Sequence, residues 1–207
     1  MILTNKGLDL PISGAPSADI DSSTTINTIA ILGPDYVGLK PTMLVKEGDT
    51  VSSGQKLFED KKNPGTYITS PSSGVVESIN RGEKRRFLSI TIDVDDSIEP
   101  TKFIAADYET PVKFLVDTGA LSYFKTRPYN RIPNKEDLPN AIFINACDTN
   151  PLAIDPFYLV KEDQELFNSG LAYISSINKD AKTYCAFQND DFDQSVEGIN
   201  YNQFNGP

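Results

Sequence analysis

The stretch Val45-Lys46-Glu47-Gly48-Asp49-Thr50-Val51-Ser52-Ser53-Gly54-Gln55-Lys56-Leu57, with Ser70-Pro71-Ser72-Ser73-Gly74-Val75-Val76 after it, decides the fold class. Its apolar residues come in ones and twos, and each short run is closed by a turn signal. Glu47-Gly48-Asp49, Ser53-Gly54-Gln55, Asn63-Pro64-Gly65 and Ser72-Ser73-Gly74 are those signals. Glycine serves where φ must be positive or a side chain would not fit, and the polar residues and proline favour the bend. Many short strands with regularly spaced turns predict a small sandwich or barrel. Further along, Leu88, Ile90, Ile92 and Val94 alternate with Ser89, Thr91 and Asp93, the cleanest period-two strand in the chain. Upstream, Thr28-Ile29-Ala30-Ile31-Leu32 is a β-prone run stopped by Gly33-Pro34, and 6–12 reads as a short strand followed by a loop.

Beyond Glu99-Pro100 the pattern changes. Thr110-Pro111 is a helix start, a capping hydroxyl followed by proline at the first helical position. Residues 123–140 read as a loop rich in proline and charge. Ala141–Ala146 is an apolar run of the kind buried in parallel sheets. A helix is predicted over about 162–177, with Val160, Phe167, Leu171 and Ile174 on one face, and Thr183–Phe187 reads as the next strand. After Gln188 the chain is polar and aromatic, with no strand predicted. This is a β-loop-α-β unit, the minimum piece of an open parallel sheet. The expected organisation is therefore mixed: an all-β module over 1–102 and a truncated Rossmann-like α/β domain over 103–207. Two or three strands would leave an open edge, so the chain reads as a fragment of a longer protein.

Composition narrows the chemistry. The 207 residues are 39% apolar, enough for a folded core, and the net charge of −10 disfavours nucleic acid. The one basic cluster, Arg81, Lys84, Arg85 and Arg86, reads as a solvated turn or a local docking patch. There is no histidine, which removes Ser-His, Cys-His and His-metal chemistry. Cys147 and Cys185 are too few for a disulfide framework, and no cysteine spacing offers a zinc or iron–sulfur site. Cys147 is expected to be a buried small hydrophobe. No run is long enough for a membrane-spanning helix, and residues 1–6 lack a secretory apolar region.

The opening stretch follows V-x-x-G-D-x-V-x-x-G-Q-x-L, a hairpin, then S-P-x-x-G-x-V, and so resembles the lipoyl/biotinyl barrel-sandwich family. That family implies a modified lysine at the hairpin tip. Here the tip reads Asp60-Lys61-Lys62-Asn63-Pro64-Gly65 and the carrier position falls at about Asn63, so neither lysine is in register. A narrower resemblance covers nearly the whole chain. Lys6–Gly14, Tyr36–Met43, Leu57–Gly65, Ile79–Arg85, Thr126-Arg127-Pro128-Tyr129 and Ala141-Ile142-Phe143 leading to Asp148–Ala153 together resemble the A-subunit family of bacterial sodium-translocating NADH:quinone oxidoreductases.

That resemblance implies a peripheral subunit, on the cytoplasmic side of the inner membrane, of a six-subunit complex. The complex passes electrons from NADH to ubiquinone and exports sodium. The implied role is structural and docking, against a membrane subunit near the quinone end, with ubiquinone as a candidate contact. NADH, flavins, Fe–S and ubiquinone belong to the whole complex, none to this chain, and the chain alone is expected to be inactive. Two other readings stand beside it: a lipoyl-type carrier, and a flavin- and NADH-binding module like that of complex I. The latter needs a glycine-rich phosphate cradle, and Gly119–Arg127, the corresponding stretch, has one glycine. Catalytic, cofactor and metal residues are expected to be none. The ligand or interface candidates are Asp148 and Thr149, beyond a strand's carboxyl end, and Arg127, able to hold a carboxylate or a quinone oxygen. The plainer alternative is that 148–151 turns the chain and Arg127 ties a loop.

Overall fold

The computed structural model describes residues 1–3, 7, 10–14, 16–17 and 19–205. The strands are β1 Ile2–Leu3, β2 Thr28–Leu32, β3 Pro41–Met43, β4 Thr50–Val51, β5 Lys56–Asp60 and β6 Tyr67–Thr69. They continue with β7 Gly74–Arg81, β8 Phe87–Val94, β9 Ala141–Ala146, β10 Lys182–Phe187 and β11 Ile199–Asn205. The helices are α1 Pro111–Asp117, α2 Phe157–Val160 and α3 Gln164–Ser175. Of the strand expected at 6–12, Lys6, Leu8 and Asp9 lie outside the described residues, and Leu10–Gly14 has no regular structure.

Packing divides the chain into two compact units, Ser23–Asp137 and Met1–Ser22 with Leu138–Pro207. In the first, a four-stranded sheet β2-β8-β7-β4 and a three-stranded sheet β3-β5-β6, both antiparallel, enclose one core. Leu57, Phe58, Ile90 and Ile92 are fully buried there, and Phe58 meets Phe87 edge to face at 5.2 Å. Leu57 and Phe58 are neighbours yet both face inward, because a register shift between Lys56 and Phe58 breaks the alternation. A second shift opposite Arg81 puts Phe87 inside and leaves Leu88 exposed, so the period-two run holds at Ile90 and Ile92 and fails at its first member.

Residues beyond 102 belong to this unit by contact. Lys56 pairs with Asp117 at 3.4 Å, and Thr69 Oγ1 donates to Thr118 O at 3.2 Å. Leu115 and Leu121 are buried. α1 and the loops after it pack on β5–β6, and this compact unit extends to Asp137.

The second unit is a fully parallel sheet, β1-β11-β10-β9. α3 buries Leu171, and a cluster of Ala146, Cys185, Phe187 and Phe192 forms the core beside it. The predicted helix over 162–177 appears as α3, Gln164–Ser175, with α2 and a 3-10 turn at Lys161–Asp163 before it. β11 and β1 are additional to the strands expected from sequence. In β11 Ile199 and Tyr201 alternate with Asn200 and Asn202 and pack against that cluster, and the strand is bonded by β10 and β1.

Candidate functional site

The carrier-type hairpin tip is held on several sides. Asp60 is buried, and its Oδ1 accepts from the amides of Lys40 and Lys62, each at 3.0 Å. Glu59 Oε1 accepts from Gly65 N at 2.7 Å. Asn63, at the carrier position, donates through Nδ2 to Pro133 O at 2.9 Å. A Cβ on Gly65 would lie 3.0 Å from Lys135 Nζ. Lys62 Nζ donates to Gly38 O at 3.0 Å. The segment 133–135 therefore contacts the tip at Asn63 and Gly65, while Lys61, Lys62 and Pro64 stay exposed. Thr66 Oγ1, just after the tip, is buried without a hydrogen-bond partner among the described residues.

Gly119 follows α1 at φ +76°, and a Cβ there would lie 2.6 Å from Thr69 Cγ2. This glycine permits close packing of the helix end on β6, and α1 has seven residues. Its amide is engaged by Val116 O at 3.2 Å. Nearby, an open pocket of about 160 Å³ lies between β2 and β6, two strands at the ends of their sheets. Tyr36, Ser122 and Tyr123 line it too. Burial, with Tyr123 and Asp35 adding to it, pushes the Tyr36 phenol above its usual range. Lys125, whose ammonium is 5.0 Å from the Tyr36 ring centre, is lowered by burial, partly offset by Asp35. The sequence carried no signal for this pocket, because its walls come from segments far apart in the chain.

Asp148 and Thr149 follow β9 and are exposed. Asp148 Oδ1 accepts from Asn150 N at 2.9 Å and Nδ2 at 2.7 Å, an Asx turn. Behind them, Asp155 accepts from Phe157 N and Asn189 Nδ2. Cys147 is half-buried, where burial was expected; desolvation and then Asp155 raise its thiol pKa. Cys185 is fully buried and is pushed up to about 11, chiefly by burial and then by Cys147. Both thiols stay protonated at neutral pH, which makes them poor nucleophiles. Arg127 belongs to the other unit. It is exposed, precedes a cis proline at Pro128, and its guanidinium has no bonded partner among the described residues. Thr126 closes that loop by bonding Arg131 O through N at 2.8 Å and Oγ1 at 3.0 Å. The basic cluster forms the exposed β7–β8 turn, with Lys84 and Arg85 at positive φ. Among the described residues no group of three or more His, Cys, Asp or Glu is placed to hold a metal, and no helix is long and apolar enough to cross a membrane.

A barrel-sandwich module joined to a parallel α/β module defines a two-domain class of protein. Family models match both parts: the NqrA N-terminal barrel-sandwich hybrid domain over residues 2–95, and the NqrA second alpha/beta domain over 106–207. The chain belongs to the NqrA family. It is 43% identical over its full length to the Na(+)-translocating NADH-quinone reductase A-subunit of Actinobacillus pleuropneumoniae serotype 5b, covering 48% of that protein. The protein of the same name from Haemophilus influenzae strain PittGG is 46% identical over 86% of this chain and 41% of its own length. That of Photorhabdus laumondii is 42% identical over the whole chain and 48% of its own length. The chain thus spans about half the length of the curated relatives it matches.

Proposed function

We propose that this chain acts as part of a peripheral, docking subunit of a sodium-translocating NADH:quinone reductase, and does no redox chemistry itself. The observation that carries this reading is that the carrier position of the hairpin tip is tied down by a hydrogen bond. A carrier needs a free arm there, whereas Asn63 is bonded to Pro133 O and Gly65 lies under Lys135. The single glycine at the end of α1 packs on Thr69 and its amide is bonded by Val116 O, which speaks against a flavin or nucleotide phosphate there. What remains is a two-module chain whose surfaces meet other subunits, with a membrane subunit near the quinone end as the main partner and the cytoplasmic face of the membrane as its place. Ubiquinone contact belongs to that interface, for which Arg127, Asp148 and Thr149 are the candidates.

The test is direct. The purified chain is expected to be colourless, metal-free, unmodified by intact mass and unable to oxidise NADH, and to co-purify with the membrane subunits when expressed with them. NADH–quinone turnover by the chain alone, a bound flavin, or a lipoyl or biotinyl mass increment would overturn the proposal. Photo-crosslinking of a reactive quinone analogue to the intact complex, with peptide mapping, would show whether the three candidate residues face the quinone.

A further inference from the structure

The strand β2 is an uncovered sheet edge of a kind that proteins ordinarily protect. Among the described residues it pairs only with β8. Val94 N donates to Asn27 O at 2.8 Å, and the antiparallel alternation from that pair turns the backbone groups of Thr28 and Ala30, and the amide of Leu32, away from β8. None of these groups has a backbone partner among the described residues. Its sequence, Thr-Ile-Ala-Ile-Leu, holds no charge and no proline, the devices that keep free edges from pairing. The pocket of about 160 Å³ runs along Ile29–Leu32 and is walled opposite by Ile68, Thr69 and Pro71. Ser122 lines it at 5% exposure.

We infer that β2 and this pocket receive an extended polypeptide segment of a partner subunit, which adds as a fifth strand and inserts one side chain towards Ser122. This rests on the docking role proposed above and says where docking occurs. Size separates a side chain from a small molecule: small-molecule sites span about 300–1,000 Å³, well above this pocket. Strand addition draws affinity from main-chain bonds and specificity from such pockets. Charge selects the partner. A net charge of −10 opposes pairing with a second copy and favours a neutral or basic segment.

Hydrogen exchange resolved to single amides, on the isolated chain and on the complex purified with this chain as its subunit, tests the inference. Thr28, Ala30 and Leu32 amides are expected to exchange at least tenfold more slowly in the complex, with Ile29 and Ile31, already bonded to β8, as the internal reference. Ala30→Pro removes an outward amide that the fold does not use, as proline is tolerated on an edge. It is expected to leave the melting of the isolated chain nearly unchanged and to weaken retention in the complex at least tenfold. An assembled complex with unchanged exchange at these amides overturns the inference and leaves the docking role standing. Concentration-dependent protection in the isolated chain also overturns it, by naming a second copy as the occupant. Failure to assemble at all overturns both.

Discussion

Two glycines in the β module do different physical work. At Gly74 a Cβ would collide with Asp93 O, a backbone atom that cannot give way. At Gly48, φ is +86° and nothing lies within 4 Å of the Cβ position, so only the backbone conformation is at stake. Gly48→Ala is expected to cost about 1 kcal/mol. Gly74→Ala should cost about 3 kcal/mol, the upper end for overpacking, or abolish folding. Chemical denaturation of the two variants separates the cases; equal losses would contradict the close approach. Cys185 supplies a pH test. Its thiol is raised from 9.0 to about 11, so the neutral form favours the folded state. The associated stability is complete below pH 9 and declines as pH rises through about 11. Cys185→Ala should remove that part of the alkaline slope, whatever its effect at pH 7. Each of these residues stands out in the sequence as a glycine or a cysteine. The oxygen that crowds one and the burial that shifts another come from partners distant in the chain.

At the level of elements, α1 and α3 differ in what stabilises them. Thr110 accepts from Lys113 N at 3.2 Å, with Pro111 at the first helical position, as the sequence predicted. Thr110→Ala is expected to lower stability by about 1 kcal/mol. Leu171 is 2% exposed in α3, and Leu171→Ala should lower stability by about 2–5 kcal/mol, read from thermal or urea unfolding. A loss below 1 kcal/mol would mean that α3 does not seal the sheet. Helix caps and the stripe of α3 were legible because both rest on residues three or four apart. β11 was not legible. Ile199-Asn200-Tyr201-Asn202-Gln203-Phe204-Asn205 has too many amides to read as a core strand, and it is a strand because β10 and β1 bond it from both sides. Leu88 likewise obeyed the local pattern and was displaced by a bulge that belongs to the pairing of β7 with β8.

For the whole molecule, the division into units is the point where chain order and packing part. The turn pattern ends near residue 95 and the family match changes between 95 and 106, yet contacts carry the first compact unit to Asp137. A fragment of residues 23–137 should therefore melt cooperatively and at higher temperature than a fragment of residues 1–102, which lacks the cover of Leu115 and Leu121. If the shorter fragment is equally stable, α1 and its loops contribute nothing to the β module. Strand periods, turns and caps needed only near neighbours along the chain, so the two modules, the carrier-like hairpin and its missing lysine could be read from residue order. The contacts of 133–135 with Asn63 and Gly65, the reach of the first compact unit to Asp137 and the open β2 edge with its pocket could not. They arise from contacts between segments tens of residues apart, whose pairing is settled only when the cores close.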